Sequence, residues 1–460
     1  MKNMNQAFTK MNDTFESGRE AANQNLSANQ VVKRPRVVII GGGFGGLAAA
    51  KALEKTEADV FLIDRSNHHL FQPLLYQVAT AALSPADIAS ATRVMFSKTS
   101  NVSVVMDEVT GIDAAQRQVT ARNSGSIHYD FLILATGAEY SFFGNDAWAA
   151  HAPVLKSIDD ALHIRARLLA AFEVAERCDD PEEIRRLLTF ALVGGGPTGI
   201  EMAGAIAELA RTALSGNFRR ISEEDVRILL VEAGSTLLGA CRNSQSQVAL
   251  EALRELGVEV LLGKAVEHID AHGLVVDGSP IASANVIWCA GTQARPAGAW
   301  IGAATARNKA IIVGPDCAIA NHPEIFAIGD LASYTGSDGN TLPGLAPVAK
   351  QQGRYVAKVI AARIKRRSAP RAFRYRNWGT MAVIGRAKAV ADFGWIRLNG
   401  FPAWLAWSLV HLMLLIDFRS RGAVYLNWTW AWVTRGRAAR ILTSPDATQS
   451  THKLSTPVSM

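Results

Sequence analysis

Two stretches of the chain repeat one order of hydrophobic and polar positions. The first opens with RVVII at 36–40, an apolar run with the length and β-branching of a buried parallel strand. The glycine-rich residues 41–46 follow directly, and LAAAKALEK behind them has the composition of a helix. A second strand pattern, DVFLID, then ends on Asp64. Strand, glycine turn, helix, strand and acid in this order predict a dinucleotide-binding α/β unit.

The glycines of the first turn have the spacing that a bound dinucleotide requires. Gly41, Gly43 and Gly46 fit G-x-G-x-x-G. The first glycine allows the tight turn, the second lets the backbone approach the pyrophosphate, and the third lets the helix pack on the strand. Asp64 lies about 20 residues further on, where it can bind ribose hydroxyls. Because small residues also fill ordinary turns, the order of the elements carries this prediction.

The pattern recurs about 150 residues later. TFALV at 189–193 leads into GGGPTG, a helix pattern and the strand pattern VRILLVE, which ends on Glu232. Gly194, Gly196 and Gly199 occupy the three glycine positions. An acid at the strand end favours NAD(H), because it would repel a 2′-phosphate. Two such units predict two dinucleotides, a donor and an electron-carrying cofactor.

Three shorter strand patterns predict how the two units connect. YDFLILATG at 129–137 and SANVIWCAG at 283–291 each end in a turn of small residues, at a similar place after each glycine motif. They are typical of paired turns where the chain crosses between nucleotide domains, although either could be an ordinary strand end. IFAIGD delivers Asp330 to a turn, where it would cap a helix or bind the ribityl chain of a flavin.

Charge and tryptophan are concentrated near the C-terminus. The composition is globular, 49% hydrophobic and 19% charged, which argues against disorder and against a polytopic membrane protein. The net charge is +7, yet residues 350–440 hold 18 Lys and Arg against Asp392 and Asp417, a local +16. Seven of the ten tryptophans lie there too. A basic region implies an anionic partner, and tryptophan beside arginine favours phospholipid over nucleic acid.

The cysteines, histidines and chain ends indicate no further chemistry. Four cysteines form no CxxC or CxxxxC pair, so they are interpreted as apolar filler rather than a redox disulfide. His68 and His69 have no second cluster at metal-ligand spacing, which predicts loop or solvated histidines and no metal site. Residues 1–34 are polar and lack a signal peptide's apolar stretch, and residues 441–460 are similar; both are predicted to be disordered.

Two apolar runs near the C-terminus predict helices that lie on a membrane. The run at 401–416 has sixteen residues, roughly 24 Å as a helix, which is less than the hydrocarbon core of about 30 Å. The run at 423–433 is shorter, and Arg419 and Arg421 separate the two. Charges at the ends of short apolar helices favour helices in the interface plane. Core helices of a dimer and a single membrane span are the alternatives.

Four stretches carry a resemblance to a known family. They are HHLFQPLLYQVATAALSP, VGGGPTGIEMAGA, LPGLAPVAKQQGRYVA, and GFPAWLAWSLVHLMLLIDFRSR with NWTWAW behind it. In these stretches residues 35–436 resemble the type II, single-subunit NADH:quinone oxidoreductases, within the two-dinucleotide-domain flavoproteins. The glycine motifs alone would fit ferredoxin reductases or disulfide reductases equally well.

The resemblance implies FAD on the first unit, NADH on the second, and a C-terminal pair of helices that lie on the membrane and contribute to a homodimer. The FAD contacts it implies are Gly41, Gly43, Phe44, Gly46, Asp64, Gln72, Thr136, Gly137, Asp330, Val348 and Ala349. The NADH contacts it implies are Gly194, Gly196, Thr198, Gly199 and Glu232.

The resemblance also implies two catalytic residues. Glu201 would lie near the nicotinamide and the quinone channel, where a carboxylate could relay a proton; the alternative is an acid that complements the helix dipole. Gln351 matches the second glutamine of an Ala-Gln-x-x-x-Gln pattern on the quinone side. Pro347 stands in place of the first glutamine, so this chain departs from the pattern there.

The predicted fold is therefore α/β, with two Rossmann-like dinucleotide-binding domains and a C-terminal membrane-associating helical segment. The expected segments are an FAD domain from 35–150 and 286–376, an NADH domain from 151–285, and a membrane and dimerisation region from 377–440.

The expected activity is hydride transfer from NADH to FAD, followed by transfer of two electrons to ubiquinone or menaquinone at the cytoplasmic face of the cell membrane. With neither a bundle of spanning helices nor intramembrane acids in the sequence, proton pumping is not expected. The alternative is a soluble flavin reductase of the ferredoxin-reductase or apoptosis-inducing-factor type, and a redox-inactive NADH sensor is a third hypothesis.

Overall fold

The structure is a computed structural model that describes residues 34–214, 217–239, 241, 243–434 and 440–442. The extension predicted at 1–34 lies outside the described residues except for Arg34. The tail predicted at 441–460 lies outside them except for its first two residues.

Twenty-five strands are assigned in the described part of the chain. In chain order they are β1 Arg36–Ile40, β2 Asp59–Asp64, β3 His68–Leu70, β4 Ala89–Ala91, β5 Val102–Met106, β6 Val109–Asp113, β7 Gln118–Ala121, β8 Gly125–His128, β9 Phe131–Leu134, β10 Ala138–Tyr140, β11 Thr189–Val193, β12 Arg227–Glu232, β13 Val258–Leu262, β14 Val266–Ile269, β15 Gly273–Val276, β16 Ser279–Ala282, β17 Asn285–Trp288, β18 Thr292–Ala294, β19 Ile311–Ile312, β20 Ala318–Ile319, β21 His322–Ala327, β22 Ala332–Ser333, β23 Thr380–Gly385, β24 Lys388–Asp392 and β25 Arg397–Asn399.

Eleven α-helices are assigned in the same residues. They are α1 Phe44–Leu53, α2 Leu75–Ala79, α3 Pro85–Ile88, α4 Thr92–Met95, α5 Ile158–Ala175, α6 Pro181–Leu187, α7 Pro197–Leu214, α8 Asn243–Glu255, α9 Ala346–Ile364, α10 Gly400–Leu414 and α11 Phe418–Thr434. Short 3₁₀ helices lie at Gln72–Leu74, Asp146–Ala150, Glu223–Asp225, Pro296–Ile301 and Gly329–Leu331.

Two sheets form the scaffold of the site. The first has the order β20-β21-β9-β1-β2-β5 and draws its strands from both sides of the second unit in sequence. Its strands are parallel apart from β20, and Val37, Val38 and Ile39 of β1 are fully buried. The second sheet, β13-β12-β11-β17, is parallel throughout. Both predicted strand, glycine turn, helix units are therefore confirmed.

The chain crosses between the two sheets on a pair of short strands. β10 and β18 pair antiparallel, with Ala138 opposite Ala294, directly after the two turns of small residues that predicted a crossing. The boundary predicted at 285/286 needs correction, because β17 pairs with β11 and belongs to the second sheet. The chain therefore returns toward the first sheet at β18, which follows the last strand hydrogen-bonded in the second sheet.

A three-stranded antiparallel sheet, β23-β24-β25, precedes the C-terminal helices. The sequence predicted only helices in this region. The new sheet packs against α7 and α10, and it buries Ala382, Val390 and Ala391. A Cβ on Gly204 of α7 would collide with the carbonyl oxygen of Ile384 in β23. The glycine therefore lets the helix and the strand approach to backbone contact.

The two C-terminal helices begin earlier than their apolar runs. α10 starts at Gly400, with Pro402 in its first turn. α11 starts at Phe418, so that Arg419 and Arg421 lie in its first turn rather than between the helices. The Arg421 Nε donates to the carbonyl oxygen of Leu415 (2.9 Å) and so closes the end of α10. Within the described residues, no helix combines the length and apolar character that crossing a bilayer would require.

Substitution of Gly204 tests the backbone contact between α7 and β23. Gly204→Ala is expected to lower the free energy of unfolding by about 1–3 kcal/mol, because the methyl group overpacks a site with no space. Chemical denaturation of the purified protein measures this change.

Gly422→Ala is the matched control, since Gly422 also lies inside a helix but its added Cβ would meet nothing within 4 Å. It should leave stability unchanged or raise it by up to about 1 kcal/mol through helix propensity. Equal effects of the two substitutions would contradict the packing described.

Candidate active site

The first glycine turn has the geometry of a dinucleotide cradle. Gly41 has φ +104°, and a Cβ there would collide with the carbonyl oxygen of Ala135. A Cβ on Gly46 would collide with the carbonyl oxygen of Gly41, so α1 packs directly on the turn. By contrast, a Cβ on Gly43 would meet nothing within 4 Å. The turn is tight on the protein side and open on the side where a pyrophosphate would approach the helix N-terminus.

The acid at the end of β2 holds this turn in place. The N–H of Gly42 donates to Asp64 Oδ2 (2.6 Å), and the N–H of Ser66 donates to Asp64 Oδ1 (2.6 Å). The carboxylate thus links the strand end to the glycine turn. Charge-assisted hydrogen bonds of this kind are stronger than neutral ones, so they order the cradle before a ligand binds.

The second glycine turn repeats these contacts. Gly194 has φ +112°, and a Cβ on Gly199 would collide with the carbonyl oxygen of Gly194. Gly196 again has open space around its added Cβ. The predicted positions of all three glycines are thus equivalent to those of the first turn.

Glu232 makes the same kind of hydrogen bonds in the second unit as Asp64 makes in the first. The N–H of Gly195 donates to Glu232 Oε2 (2.5 Å), and the N–H of Gly234 donates to Glu232 Oε1 (2.6 Å). The same hydrogen bonds from the middle of the turn and from two residues past the acid occur in both units.

A cavity of about 400 Å³ lies where the two units meet. Gly196 and Thr198 line it from the second unit, and Asp330 and Val348 line it from the first. Residues that the sequence assigned to two different dinucleotides therefore face one space. The arrangement can hold two flat rings against each other, which hydride transfer between dinucleotides requires.

One unsatisfied hydroxyl and two open glycines of the first unit fit a bound flavin nucleotide. The Thr136 hydroxyl is buried and has no hydrogen-bond partner. Gly137 has φ +71° with nothing near its added Cβ. Together with the open side of Gly43, these residues leave a polar cradle that a ribityl or phosphate group would satisfy. The residues present fit the FAD that the sequence resemblance implies.

The start of α9 forms one wall of the cavity. Val348 lines it, Ala349 is buried, and both lie in the first turn, where the helix dipole is positive. The Gly329 N–H donates to Gln352 Oε1 (2.7 Å), which holds the turn carrying Asp330 against the helix. Gln352 also lines the cavity, and sequence reasoning missed it although it follows Gln351 directly.

Two predicted glutamines bind backbone rather than the cavity. Gln351 Nε2 donates to the carbonyl oxygen of Arg376 (2.9 Å), and the Arg376 N–H donates to Gln351 Oε1 (3.0 Å). Gln351 therefore holds the segment that leads into the C-terminal sheet. Gln72 Nε2 donates to the carbonyl oxygen of Lys156 (3.4 Å). Neither glutamine lines the cavity.

Glu201 lies in the first part of α7 and faces β23 rather than the cavity. Burial raises the pKa of Glu201 to about 8, opposed by a hydrogen bond from the Val383 backbone. A carboxyl with that pKa is largely protonated at neutral pH. An acid that mainly complemented the helix dipole would be charged, so burial outweighs the dipole here.

The structure corrects the interpretation of His69 as a solvated or loop histidine. Its side chain is buried, and its Nδ1 lies 2.9 Å from the carbonyl oxygen of Gly42 in the glycine turn. Burial lowers the pKa of His69 to about 4, so the ring is neutral. Its Nε2 is buried without a partner. His69 is therefore a buried residue of β3 that supports the glycine turn, although the HH pair in the sequence predicted solvated side chains.

A series of rings runs from this histidine to the C-terminal helices. Phe44 meets His69 edge to face, with ring centres 5.1 Å apart, and Phe71 meets Phe44 at 6.0 Å. Phe71 contacts His411 of α10 at 6.1 Å, and His411 stacks on Trp407 at 4.3 Å. These rings pack the first unit against α10.

The outer face of α10 is apolar and open to solvent. Leu405, Leu409 and Met413 follow one another at intervals of four residues and are 55%, 60% and 61% exposed. Trp395, in the hairpin before α10, is 86% exposed. An exposed apolar face of this kind is typical of surfaces that contact lipid or another chain.

The fold and the site define a flavoprotein class with two dinucleotide-binding units. In agreement, residues 35–353 match the model of the family described as pyridine nucleotide-disulphide oxidoreductase. Two Mycobacterium tuberculosis proteins are each 42% identical: type II NADH:quinone oxidoreductase Ndh, over 91% of this chain and 92% of that protein, and NdhA, over 89% and 90%. The chain therefore belongs to the type II NADH:quinone oxidoreductases, which confirms the resemblance carried by its motifs.

A solved structure supports the fold. The structure of NDH2 from Plasmodium falciparum in complex with NADH superposes with a TM-score of 0.81, covering 89% of this chain and all of that chain at 21% identity. The internal alternative NAD(P)H-ubiquinone oxidoreductase A1 of Arabidopsis thaliana is 28% identical over 90% of this chain and 88% of that protein.

The raised pKa of Glu201 predicts a pH-dependent effect of Glu201→Gln. Between about pH 4.5 and pH 8 the unfolded chain has lost a proton that folded Glu201 retains, so the wild type loses stability as the pH rises. The advantage of Glu201→Gln in free energy of unfolding should grow over this window, by at least about 1 kcal/mol. Urea unfolding at pH 5, 6.5 and 8 measures it.

Glu224→Gln, on an exposed 3₁₀ turn, is the control for loss of a carboxyl. A constant difference between Glu201→Gln and wild type across the three pH values would refute the buried, protonated state.

Proposed function

We propose that this protein oxidises NADH and passes two electrons through bound FAD to a membrane quinone without pumping protons. The observation that carries the proposal is the shared cavity, where Thr198 of the NADH motif faces Asp330 and Val348 of the flavin unit. Membership of the type II family supports the same donor and acceptor.

NADH is proposed to bind the second unit. The turn at Gly194, Gly196 and Gly199 offers backbone N–H groups and a helix N-terminus to the pyrophosphate. Glu232 at the end of β12 would accept from the adenosine ribose hydroxyls and repel a 2′-phosphate. These features support NADH over NADPH as the donor.

FAD is proposed to bind the first unit, where its isoalloxazine ring supplies the hydride acceptor and the electron relay. The protein binds and orients the cofactor. Gly43 and Asp64 hold the phosphates and ribose, while Thr136 and Asp330 offer hydrogen bonds to the polar chain. The N-terminal turn of α9, with Val348 and Ala349, presents its positive end to the ring edge.

Glu201 and Gln351 are proposed to serve the quinone side. Glu201 is a largely protonated carboxyl at neutral pH and so could donate a proton on the β23 side of α7, from the helix whose first residues line the cavity. Gln351 holds the segment around Arg376 in place beside the start of α9. In this role it shapes the path by which an acceptor reaches the cavity.

The acceptor is proposed to be ubiquinone or menaquinone, reached from anionic lipid at the cytoplasmic face of the cell membrane. The exposed apolar face of α10 supports this peripheral attachment. Arg397 and Arg419 are exposed beside it and would meet lipid phosphates. A homodimer through the same pair of helices is also proposed, with the remainder of their apolar surface against a second copy.

The soluble-reductase alternative fits the structure less well. A soluble reductase would not need the exposed apolar face that Leu405, Leu409 and Met413 form on α10. A disulfide reductase would need a cysteine pair beside the flavin, whereas all four cysteines of the chain are free.

Anaerobic reduction of the bound flavin tests the electron path. Adding NADH to the purified holoprotein should bleach the flavin absorbance, because the cavity lets hydride pass between the rings. Adding a short-chain quinone should then restore the colour faster than air does. Absorbance at the flavin maximum is followed by stopped flow.

Bleaching without reoxidation by quinone would point to the soluble-reductase alternative. No bleaching at all would leave only the redox-inactive sensor. Proteoliposomes with an internal pH dye test the non-pumping part, since any NADH-driven acidification would refute it.

Polar substitution of the α10 face tests membrane attachment. Leu405→Ser, Leu409→Ser and Met413→Ser in one variant should weaken binding to anionic vesicles by at least about tenfold, because each half-exposed apolar side chain contributes on the order of 1 kcal/mol when lipid covers it. Turnover with a long-tailed quinone should fall more than turnover with a water-soluble one. Vesicle sedimentation and steady-state assays measure both.

Val94→Ser with Met106→Ser is the matched control, since both residues are exposed and apolar but lie on the first unit. Equal losses in the two variants would mean that the α10 face has no special role in lipid contact.

A further inference from the structure

Two charged side chains face the cavity between the units. Among the described residues that line it, Lys156 is the only cation and Asp330 the only anion. Asp330 was expected from its strand-end motif, whereas no pattern along the chain singles out Lys156. A half-buried ammonium that lines the proposed site of hydride transfer needs a physical explanation.

The main chain of Lys156 is fixed from two sides. Its N–H donates to Asp160 Oδ2 (3.0 Å), within the capping box that Ser157 and Asp160 form at the start of α5. Its carbonyl oxygen accepts from Gln72 Nε2 (3.4 Å) in the first unit. These two hydrogen bonds fix the backbone of Lys156, and its side chain lines the cavity.

The groups around the Lys156 ammonium act on its pKa in opposite directions. Burial lowers the pKa of Lys156, while Asp330 opposes that effect. Arg295 is the other nearby cation, and it lies 3.8 Å from Glu139 in an ion pair on the crossing strands. Arg295 does not line the cavity. Lys156 is therefore the cation that a ring in the cavity would sense.

We propose that the Lys156 ammonium stabilises the negative charge that hydride transfer delivers into the cavity, and so raises the reduction potential of the flavin held there. In that step the C4–H bond of the dihydronicotinamide breaks and the hydride, with its two electrons, bonds to the flavin ring. The pyridine ring is left cationic and the flavin ring gains one negative charge. The inference rests on the proposed function.

The role differs from simple cofactor binding. A fixed charge in a dry site acts on the difference between the oxidised and reduced ring, because only the reduced ring carries the extra charge. The Asp330 carboxylate opposes the effect of burial on the pKa of Lys156. The positive end of α9, where Val348 lines the same cavity, adds to this field.

The test is the two-electron reduction potential of the bound flavin, measured by equilibration with redox dyes without NADH or quinone. Lys156→Gln is expected to lower the potential by about 30 mV or more, which is a tenfold loss in the reduction equilibrium. Lys156→Arg keeps a cation and should stay closer to the wild type. Lys358→Gln removes an exposed lysine of α9 and should leave the potential unchanged.

Lys156→Met, of similar length, is measured in parallel at saturating FAD to separate charge from shape. A potential equal to the wild type in either neutral variant would overturn the proposal. So would loss of FAD binding in both neutral variants with unchanged thermal stability, because Lys156 would then be a binding residue only. Failure of NADH to bleach wild-type flavin would refute the proposed function, whereas the dye measurement stands apart from it.

Discussion

The structure depends on a hydrogen bond made twice, from the middle of a glycine turn to the acid at the end of the next strand. Asp64 accepts from Gly42, and Glu232 accepts from Gly195. Each bond fixes the turn so that its helix end and its backbone N–H groups face outward from the sheet edge. Because both sheets carry the device, the two cradles open toward one cavity. Donor and acceptor rings can meet only because these turns hold their shape before either dinucleotide binds.

The rest of the chain supports that cavity from outside. His69, neutral and buried, lies under the first turn, and the rings of Phe44 and Phe71 continue its packing toward α10. On the other side, Glu201 faces β23 from the helix that begins at the second turn. The C-terminal elements that carry the surface proposed to meet lipid therefore pack against both nucleotide units.

Sequence reasoning predicted the parts of this architecture that have strong local patterns. The two glycine turns, their acids and the paired crossings follow from short-range rules. In the turns, a Cβ at the first or third glycine would collide with backbone atoms, so only glycine fits there. The sheet β23-β24-β25 was missed, since its short strands lie among arginines and tryptophans whose pattern indicated an interface. His69 and Gln352 were misjudged or missed because their burial arises from packing with residues distant in sequence. The position of Lys156 at the cavity was missed for the same reason, because the residues around it in sequence do not show which cavity its side chain lines.

The close approach of Gly204 to Ile384 has a consequence for how the two nucleotide-binding units can move. It joins α7, the helix of the second nucleotide unit, to the C-terminal sheet by backbone contact. The Trp428 Nε1, on α11, donates to Gln77 Oε1 of the first unit (2.8 Å), so the same C-terminal region is also fastened to the other side. The C-terminal region therefore connects the two nucleotide-binding units. Any rotation of one half away from the other would have to break these contacts.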